Sequence, residues 1–164
     1  MTVNGATDGV GTEATTRDVV VVGFDGSPGS RFAAEYALEE AALRAGELRI
    51  VAVAPVPDYW AVTYGLNSPP PPTELIDKVR EDVQKFADEL VAANPEKAAK
   101  ATVTVEARTG IAWHQLTEAA KGAALLVLGH RGRGAIASAM MGSVGLQSVL
   151  HAQVPVTIVR PEAG

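Results

Sequence analysis

The sequence has no cysteine, only 5% aromatic residues and no excess of positive charge. Without cysteine the chain can form no disulfide framework and carries no thiolate chemistry, which suits the cytoplasm. No apolar run approaches the about 20 residues that a membrane-spanning helix needs. The N-terminus also lacks the basic segment and apolar stretch of a secretory signal. A formal net charge of −5 argues against a nucleic-acid partner, which would require a basic face.

What is present indicates one folded domain. The chain has 164 residues, of which 47% are hydrophobic, enough to bury a substantial core. Residues 1–17 are rich in Gly and Thr and almost without large apolar side chains, so we predict a disordered N-terminal tail. The organised domain is expected to span residues 18–160.

Short apolar runs alternate with segments of helical periodicity along this domain. The predicted strands are β-branched or apolar runs at 18–24, 47–54, 101–108, 123–128 and 154–159. One predicted helix starts at Ser27-Pro28 and stops at Gly46. Three further helices are predicted at residues 73–94, 111–121 and 144–151. This alternation predicts an α/β fold with a five-stranded parallel sheet and helices on both faces.

A proline-rich segment at residues 55–72 interrupts the alternation. Four consecutive prolines end it, and consecutive prolines force extended geometry and exclude both a helix and an inner strand. Tyr59, Trp60 and Tyr64 lie within it. The segment is either a lid or partner-binding loop, or an ordered loop whose aromatic side chains pack on the domain surface.

A glycine-rich loop follows the fourth predicted strand. Residues 129–134 read GHRGRG, and Gly142-Ser143 opens the next helix. Glycines let the backbone approach a phosphate, and a helix N-terminus directs free N–H groups and partial positive charge at it. In a sheet of order 3-2-1-4-5 the winding reverses between the first and fourth strands, so Asp25 would lie opposite this loop.

The sequence gives weaker evidence for other kinds of functional site. There is no P-loop motif, and residues 132–137 match only a relaxed dinucleotide fingerprint without the acidic residue expected about 20 residues later. The histidines, at 114, 130 and 151, lack metal-ligand spacing. Arg131 and Arg133 could pair with phosphate oxygens or could equally be solvated. No nucleophile has an adjacent base that the sequence identifies.

The glycine loop carries a family resemblance. Residues 129–132, nine further residues and Gly142-Ser143 together match G-x-x-G-x(9)-G-[ST], the motif of the ATP-binding branch of the universal stress protein family. Residues 22–27 resemble the first strand and acidic turn of that family. Residues 125–129 and 153–156 resemble its fourth strand and its approach to the fifth. The resemblance covers nearly all of residues 18–160.

This resemblance implies a flavodoxin-like, Rossmann-like sheet of order 3-2-1-4-5, a homodimer that pairs through the last strands, and bound ATP with Mg²⁺ or Mn²⁺ held mainly through phosphates. It implies that Asp25 approaches the ribose and adenine, that Val53 offers backbone groups to adenine, and that the glycine motif holds ribose and phosphates. Gly145 stands where the family often has a small hydroxyl residue, and Ala124 where it often has Asp. The candidate nucleotide-binding residues are Gly23, Phe24, Asp25, Val53, Gly129, Arg131, Gly132, Gly142, Ser143, Val144 and Gly145.

The function expected from the sequence is a cytoplasmic, dimeric ATP-binding module. It would act as a stress-response regulator or nucleotide sensor, with an unknown regulatory protein partner, and no residue is assigned a catalytic role. The alternatives are a slow ATPase or nucleotide-processing enzyme, a binder of another adenine nucleotide such as cyclic AMP, and a nucleotide-free interaction protein. The fold alone does not separate them.

Overall fold

The computed structural model describes residues 18–55, 72–131 and 141–161. The predicted tail, most of the proline-rich segment, Gly132 and Arg133 lie outside the described residues. The helices and strands are, in chain order, β1 (Val19–Gly23), α1 (Pro28–Leu43), β2 (Glu47–Ala54), α2 (Pro72–Ala93), α3 (Pro95–Ala98), β3 (Thr102–Thr109), α4 (Ala112–Ala119), β4 (Leu125–Gly129), α5 (Ser143–His151) and β5 (Val156–Val159).

The strands form a five-stranded sheet in the order β3-β2-β1-β4-β5. All four pairs of neighbours are parallel, and Val22 of β1 lies between Ile50 of β2 and Val127 of β4. The predicted fold class and strand order are therefore confirmed. The winding reverses between β1 and β4, which brings the carboxyl ends of these two strands together.

The last two strands begin two residues later than the sequence predicts. Ala123 still donates its N–H to the carbonyl of Ala120 in the turn that ends α4, so the strand begins only at Leu125. At β5, Pro155 has no N–H, and its carbonyl accepts from Leu126 before the strand begins at Val156. An apolar run thus marks the presence of a strand better than it marks the ends.

Two prolines begin helices where the sequence analysis placed an extended segment and a helix stop. Pro72, the last of the consecutive prolines, is the first residue of α2, and Pro95 opens the short helix α3. Proline is tolerated in the first helical turn, because the N–H it lacks would have no partner within the helix. The prediction that all of residues 55–72 are non-helical is wrong at its last residue.

The sheet has a core on each face. Val20 and Val22 point to the face covered by α1 and α2, while Val19 and Val21 point to the face covered by α4. The buried side of α1 consists mainly of small residues: Ser30, Ala33, Ala34, Ala37, Leu38 and Ala41. Small side chains let a helix approach a sheet closely, so α1 packs against both β1 and β4.

The closest part of this packing is a backbone contact between the start of α1 and the end of β4. A Cβ atom added to Gly129 would lie 2.7 Å from the carbonyl carbon and oxygen of Gly29. A Cβ added to Gly29 would lie 2.7 Å from the carbonyl oxygen of Arg131. These obstacles are backbone atoms, which cannot move aside as a flexible side chain would. Both positions therefore require glycine.

We predict that Gly129→Ala lowers the free energy of unfolding by about 1–3 kcal/mol, because the added methyl group forces backbone segments apart. Gly142→Ala is the matched control, since among the described residues its Cβ would meet only the His130 carbonyl oxygen, at 3.7 Å. The control variant should lower the free energy of unfolding by less than about 1 kcal/mol, which is the scale of a change at an N-cap residue. Urea unfolding of both variants measures the difference, and equal losses would contradict the close-approach account.

Candidate functional site

A cleft of about 250 Å³ lies where the carboxyl ends of β1 and β4 meet. This is slightly below the about 300–1,000 Å³ typical of small-molecule pockets. Asp25 and Gly129 both line it, so the predicted juxtaposition of the acidic turn and the glycine loop is present. In parallel α/β sheets, the crevice at such a reversal point is the usual ligand site.

The turn after β1 fixes the carboxylate side of the cleft. Asp25 is exposed, and its Oδ1 accepts a hydrogen bond of 2.9 Å from the N–H of Ser27. Gly26 has a φ of 78°, a left-handed conformation that favours glycine. The predicted cap is confirmed, because Ser27 is the N-cap of α1 and its hydroxyl accepts from the N–H of Ser30. The carboxylate is thus held at the mouth of the cleft by the same turn that starts α1.

The start of α5 forms the opposite side. Gly142 is its N-cap residue, and no side chain caps this helix within the part of the chain that the structure describes. Ser143 is the first helical residue and is exposed, so it is not the N-cap residue of this helix. The first helical bond runs from Leu146 N–H to Gly142 C=O. The amides of residues 143–145 therefore precede the helical ladder, and all three residues line the cleft.

His130 joins the end of β4 to this helix. Its N–H donates to the carbonyl of Val159 at 2.8 Å, and its own carbonyl accepts from the N–H of Gly142 at 3.2 Å. The ring Nε2 lies 2.8 Å from a guanidinium nitrogen of Arg160. Partial burial, followed by the charges of Arg160 and Arg131, lowers the pKa of His130 below its ordinary value. These effects disfavour the charged form of the imidazole.

The cleft is lined by charged residues of both signs. Arg131 lines it, as do the first residues of α5, whose helix N-terminus carries partial positive charge. The carboxylate of Asp25 lies on the side of the β1 turn. This arrangement suits a ligand with an anionic end and a hydrogen-bond-donating end. Within the described ranges no three His, Cys, Asp or Glu side chains are grouped as metal ligands.

Most candidate residues meet in this cleft. Gly132 lies outside the described residues, and the remaining candidates all line the cleft: Gly23, Phe24, Asp25, Val53, Gly129, Arg131, Gly142, Ser143, Val144 and Gly145. Sequence reasoning missed a second set of lining residues, Ser30, Val51, Ala112, Leu116 and Leu128, and weighed His130 without assigning it. Ala112 and Leu116 are one helical turn apart, a spacing that signals a shared face but does not say what that face covers.

A family model confirms the family. The model described as the universal stress protein family matches residues 16–160. The chain belongs to this family. A curated relative, a universal stress protein of Mycobacterium tuberculosis, is 35% identical over 156 residues, which cover 87% of this chain and 48% of the relative. The chain thus spans about half the length of the curated relatives it matches.

Solved structures have the same fold at low identity. A universal stress protein from Lactobacillus plantarum superposes with a TM-score of 0.69 at 21% identity, over 88% of this chain and 99% of that one. Another universal stress protein, solved in complex with cAMP, superposes with a TM-score of 0.58 at 24% identity, over 87% of this chain and 95% of that one. At this level of sequence identity, the structural similarity supports the fold alone.

None of the described helices has the length and apolar character that a bilayer crossing requires.

Proposed function

We propose that the cleft between β1 and β4 binds an adenine nucleotide and that ATP is its ligand. The observation that supports this proposal most strongly is that three elements line one cavity: the acidic turn, the end of β4 and the start of α5, which no described side chain caps. These elements are far apart in sequence, and the strand order brings them together. A nucleotide has an anionic end, which suits Arg131 and the N-terminus of α5, and a hydroxyl-bearing end, which suits the carboxylate of Asp25.

The phosphates would lie against α5. Ser143, Val144 and Gly145 line the cleft at the helix N-terminus, which carries partial positive charge, and the Ser143 side chain is exposed there. Gly129 lines the cleft at the end of β4 and would offer its backbone to the ligand. The guanidinium of Arg131 lines the same side and can form charge-assisted hydrogen bonds to phosphate oxygens.

The nucleoside would lie toward β1 and β2. The Asp25 carboxylate is an acceptor for ribose hydroxyl groups, and its orientation is fixed by the Ser27 N–H. Val53, near the end of β2, lines the cleft and offers backbone groups for the base. Leu116 and Leu128 supply an apolar wall for a planar ring.

A divalent cation would bind with the triphosphate. Mg²⁺ usually keeps several waters and is held through phosphates with few protein carboxylates, so it requires no dedicated protein cage. Mn²⁺ would bind in the same way. We propose that the cation enters with the nucleotide, in a cytoplasmic binding module that reports nucleotide state to a protein partner rather than turning ATP over.

Cyclic AMP is the second candidate ligand, because a neighbour of the same fold was solved in complex with it. It shares the adenine and ribose of ATP but has one phosphate carrying a single charge. The two ligands would therefore differ at the α5 side of the cleft. A slow ATPase on this fold is the enzymatic alternative, and measured turnover distinguishes it.

We further propose a homodimer that pairs through β5. This strand lies at the edge of the sheet, where its outer backbone groups can bond a second copy. Both helices that contact it expose apolar side chains: α5 exposes Leu146, Val149 and Leu150 by 46%, 47% and 66%, and α1 exposes Phe32 by 39% and Tyr36 by 36%. Pairing of two such edges would cover these side chains.

Calorimetry tests the ligand. We expect saturable ATP binding to purified nucleotide-free protein, stronger with MgCl₂ than with EDTA, because the cation offsets the phosphate charge. Binding of cyclic AMP without binding of ATP would replace the first candidate by the second. Phosphate release at roughly 1 s⁻¹ or faster, the low end of ordinary enzymatic rates, would favour the enzyme.

Ser143→Ala tests the phosphate side. Because Ser143 is not the cap of α5, we expect the melting temperature of the ligand-free protein to stay near the wild-type value. Losing one hydrogen bond to a charged phosphate should weaken ATP binding by about ten- to a hundredfold, the equivalent of about 1.5–3 kcal/mol. Unchanged ATP affinity with a lower melting temperature would make the hydroxyl structural.

Val156→Pro tests whether two copies of the chain pair through the outer edge of β5. The Pro155 carbonyl bonds Leu126 of β4, so the Val156 N–H in the same trans peptide points away from the sheet. Proline removes that N–H without removing a bond between β4 and β5, whereas Val156→Ala keeps it and serves as the control. Light scattering at tens of micromolar should show a dimer for wild type and control and a monomer for the proline variant. A wild-type monomer, or a dimeric proline variant, would contradict the pairing.

A further inference from the structure

Arg160 lies outside the cleft yet contacts one of its lining residues. It directly follows β5, as His130 directly follows the neighbouring strand β4, and the register pairs Gly129 with Val159. A guanidinium nitrogen of Arg160 lies 2.8 Å from the Nε2 of His130. A guanidinium can only donate hydrogen bonds, so the Nε2 of His130 must accept. The ring proton is therefore on Nδ1, and the ring is neutral.

The backbone of His130 is hydrogen-bonded to the start of α5. Its carbonyl accepts the N–H of Gly142, the N-cap residue of that helix, and its N–H donates to the carbonyl of Val159. On one side of His130 the backbone of Gly129 packs closely against Gly29. The contact with Arg160 holds the imidazole in addition to these backbone contacts.

The pair also connects two parts of the proposed function. His130 and Arg131 line the cleft, and Arg160 extends from the strand at the sheet edge. A displacement of the imidazole would pass through the His130 peptide to Gly142. The amides of residues 143–145 would then move relative to a bound phosphate, and small misplacements of donors weaken charged hydrogen bonds.

We propose that Arg160 is a positioning residue of the cleft: by holding the neutral imidazole of His130, it sets the position of Gly142 and of the α5 amides that face the phosphates. The phosphate part of this inference rests on the proposed function, whereas the positioning of Gly142 does not. The charged groups that face the imidazole are Arg160 and Arg131.

The test uses five variants of the full chain. Arg160→Met removes the donor, and Arg160→Lys keeps a charged donor. Arg80→Met is the matched control, because Arg80 pairs with Asp77 on α2, away from the cleft. His130→Ala, alone and combined with Arg160→Met, shows whether Arg160 acts through the imidazole or as a distant charge.

Calorimetry with Mg-ATP gives the first readout. We expect Arg160→Met to weaken binding by about tenfold, the scale of one hydrogen bond, while Arg160→Lys stays within about threefold and Arg80→Met is unchanged. In the His130→Ala background, Arg160→Met should have less than about a twofold further effect, since the interaction is already removed. A full additional loss there, or wild-type affinity in Arg160→Met, would overturn the proposal.

NMR of the ligand-free protein gives the second readout and does not depend on ATP. At pH 8 the wild-type ring should be protonated at Nδ1, and Arg160→Met should shift the Gly142 amide resonance, whereas Arg80→Met should not. A ring protonated at Nε2, or an unmoved Gly142 resonance, would refute the positioning. If the wild type failed to bind ATP while these signals behaved as expected, the proposed ligand would be wrong and the positioning of Gly142 would stand.

Discussion

The contact on which the site depends is the backbone approach of α1 to the end of β4. Gly29 and Gly129 face each other so closely that neither position has room for a Cβ atom. The small residues on the buried side of α1 bring the helix down to the sheet, and the glycines allow its first turn to reach the end of β4. Without that approach, the turn that carries Asp25 and the chain that leads to α5 would not share one cavity.

This packing also determines the electrostatics of the cleft. The turn between β1 and α1 presents a carboxylate, and Arg131 and the N-terminus of α5 line the same cleft. Gly142 begins α5, and no side chain in the described part of the chain caps this helix, so its first amides can bond a ligand or water. Partial burial and two arginines disfavour the charged form of His130, which contributes hydrogen bonds to this framework.

Much of the fold follows from the sequence because its signals are local. Apolar β-branched runs, the cap at Ser27 and the stop at Gly46 each act over a few residues, and they give the alternation from which the parallel sheet follows. Strand ends were less predictable, as Ala123 and Pro155 show, because hydrogen bonds to neighbouring elements decide them. Pro72 shows the reverse error, since the same residue that excludes a helix interior can open a helix.

The site was predictable where a motif marks it and not elsewhere. Spaced glycines, the acidic turn and the family resemblance together named ten of the residues that line the cleft. Leu116 and Leu128 were not predicted to line the cleft, because the sequence does not show whether an apolar residue on a helix or strand faces a core or a cavity. The contact between His130 and Arg160 spans 30 residues of sequence, and no local pattern couples the two.

The most direct test of the account is an ¹⁵N-resolved NMR titration of the protein with Mg-ATP. We predict saturable changes in the amide resonances of residues 143–145, of Gly129 to Arg131 and of the turn at Asp25, while resonances on β3 and on the exposed side of α2 stay in place. Saturable changes centred on those distant elements, or no saturable change with millimolar Mg-ATP, would contradict the claim that this cleft binds a nucleotide.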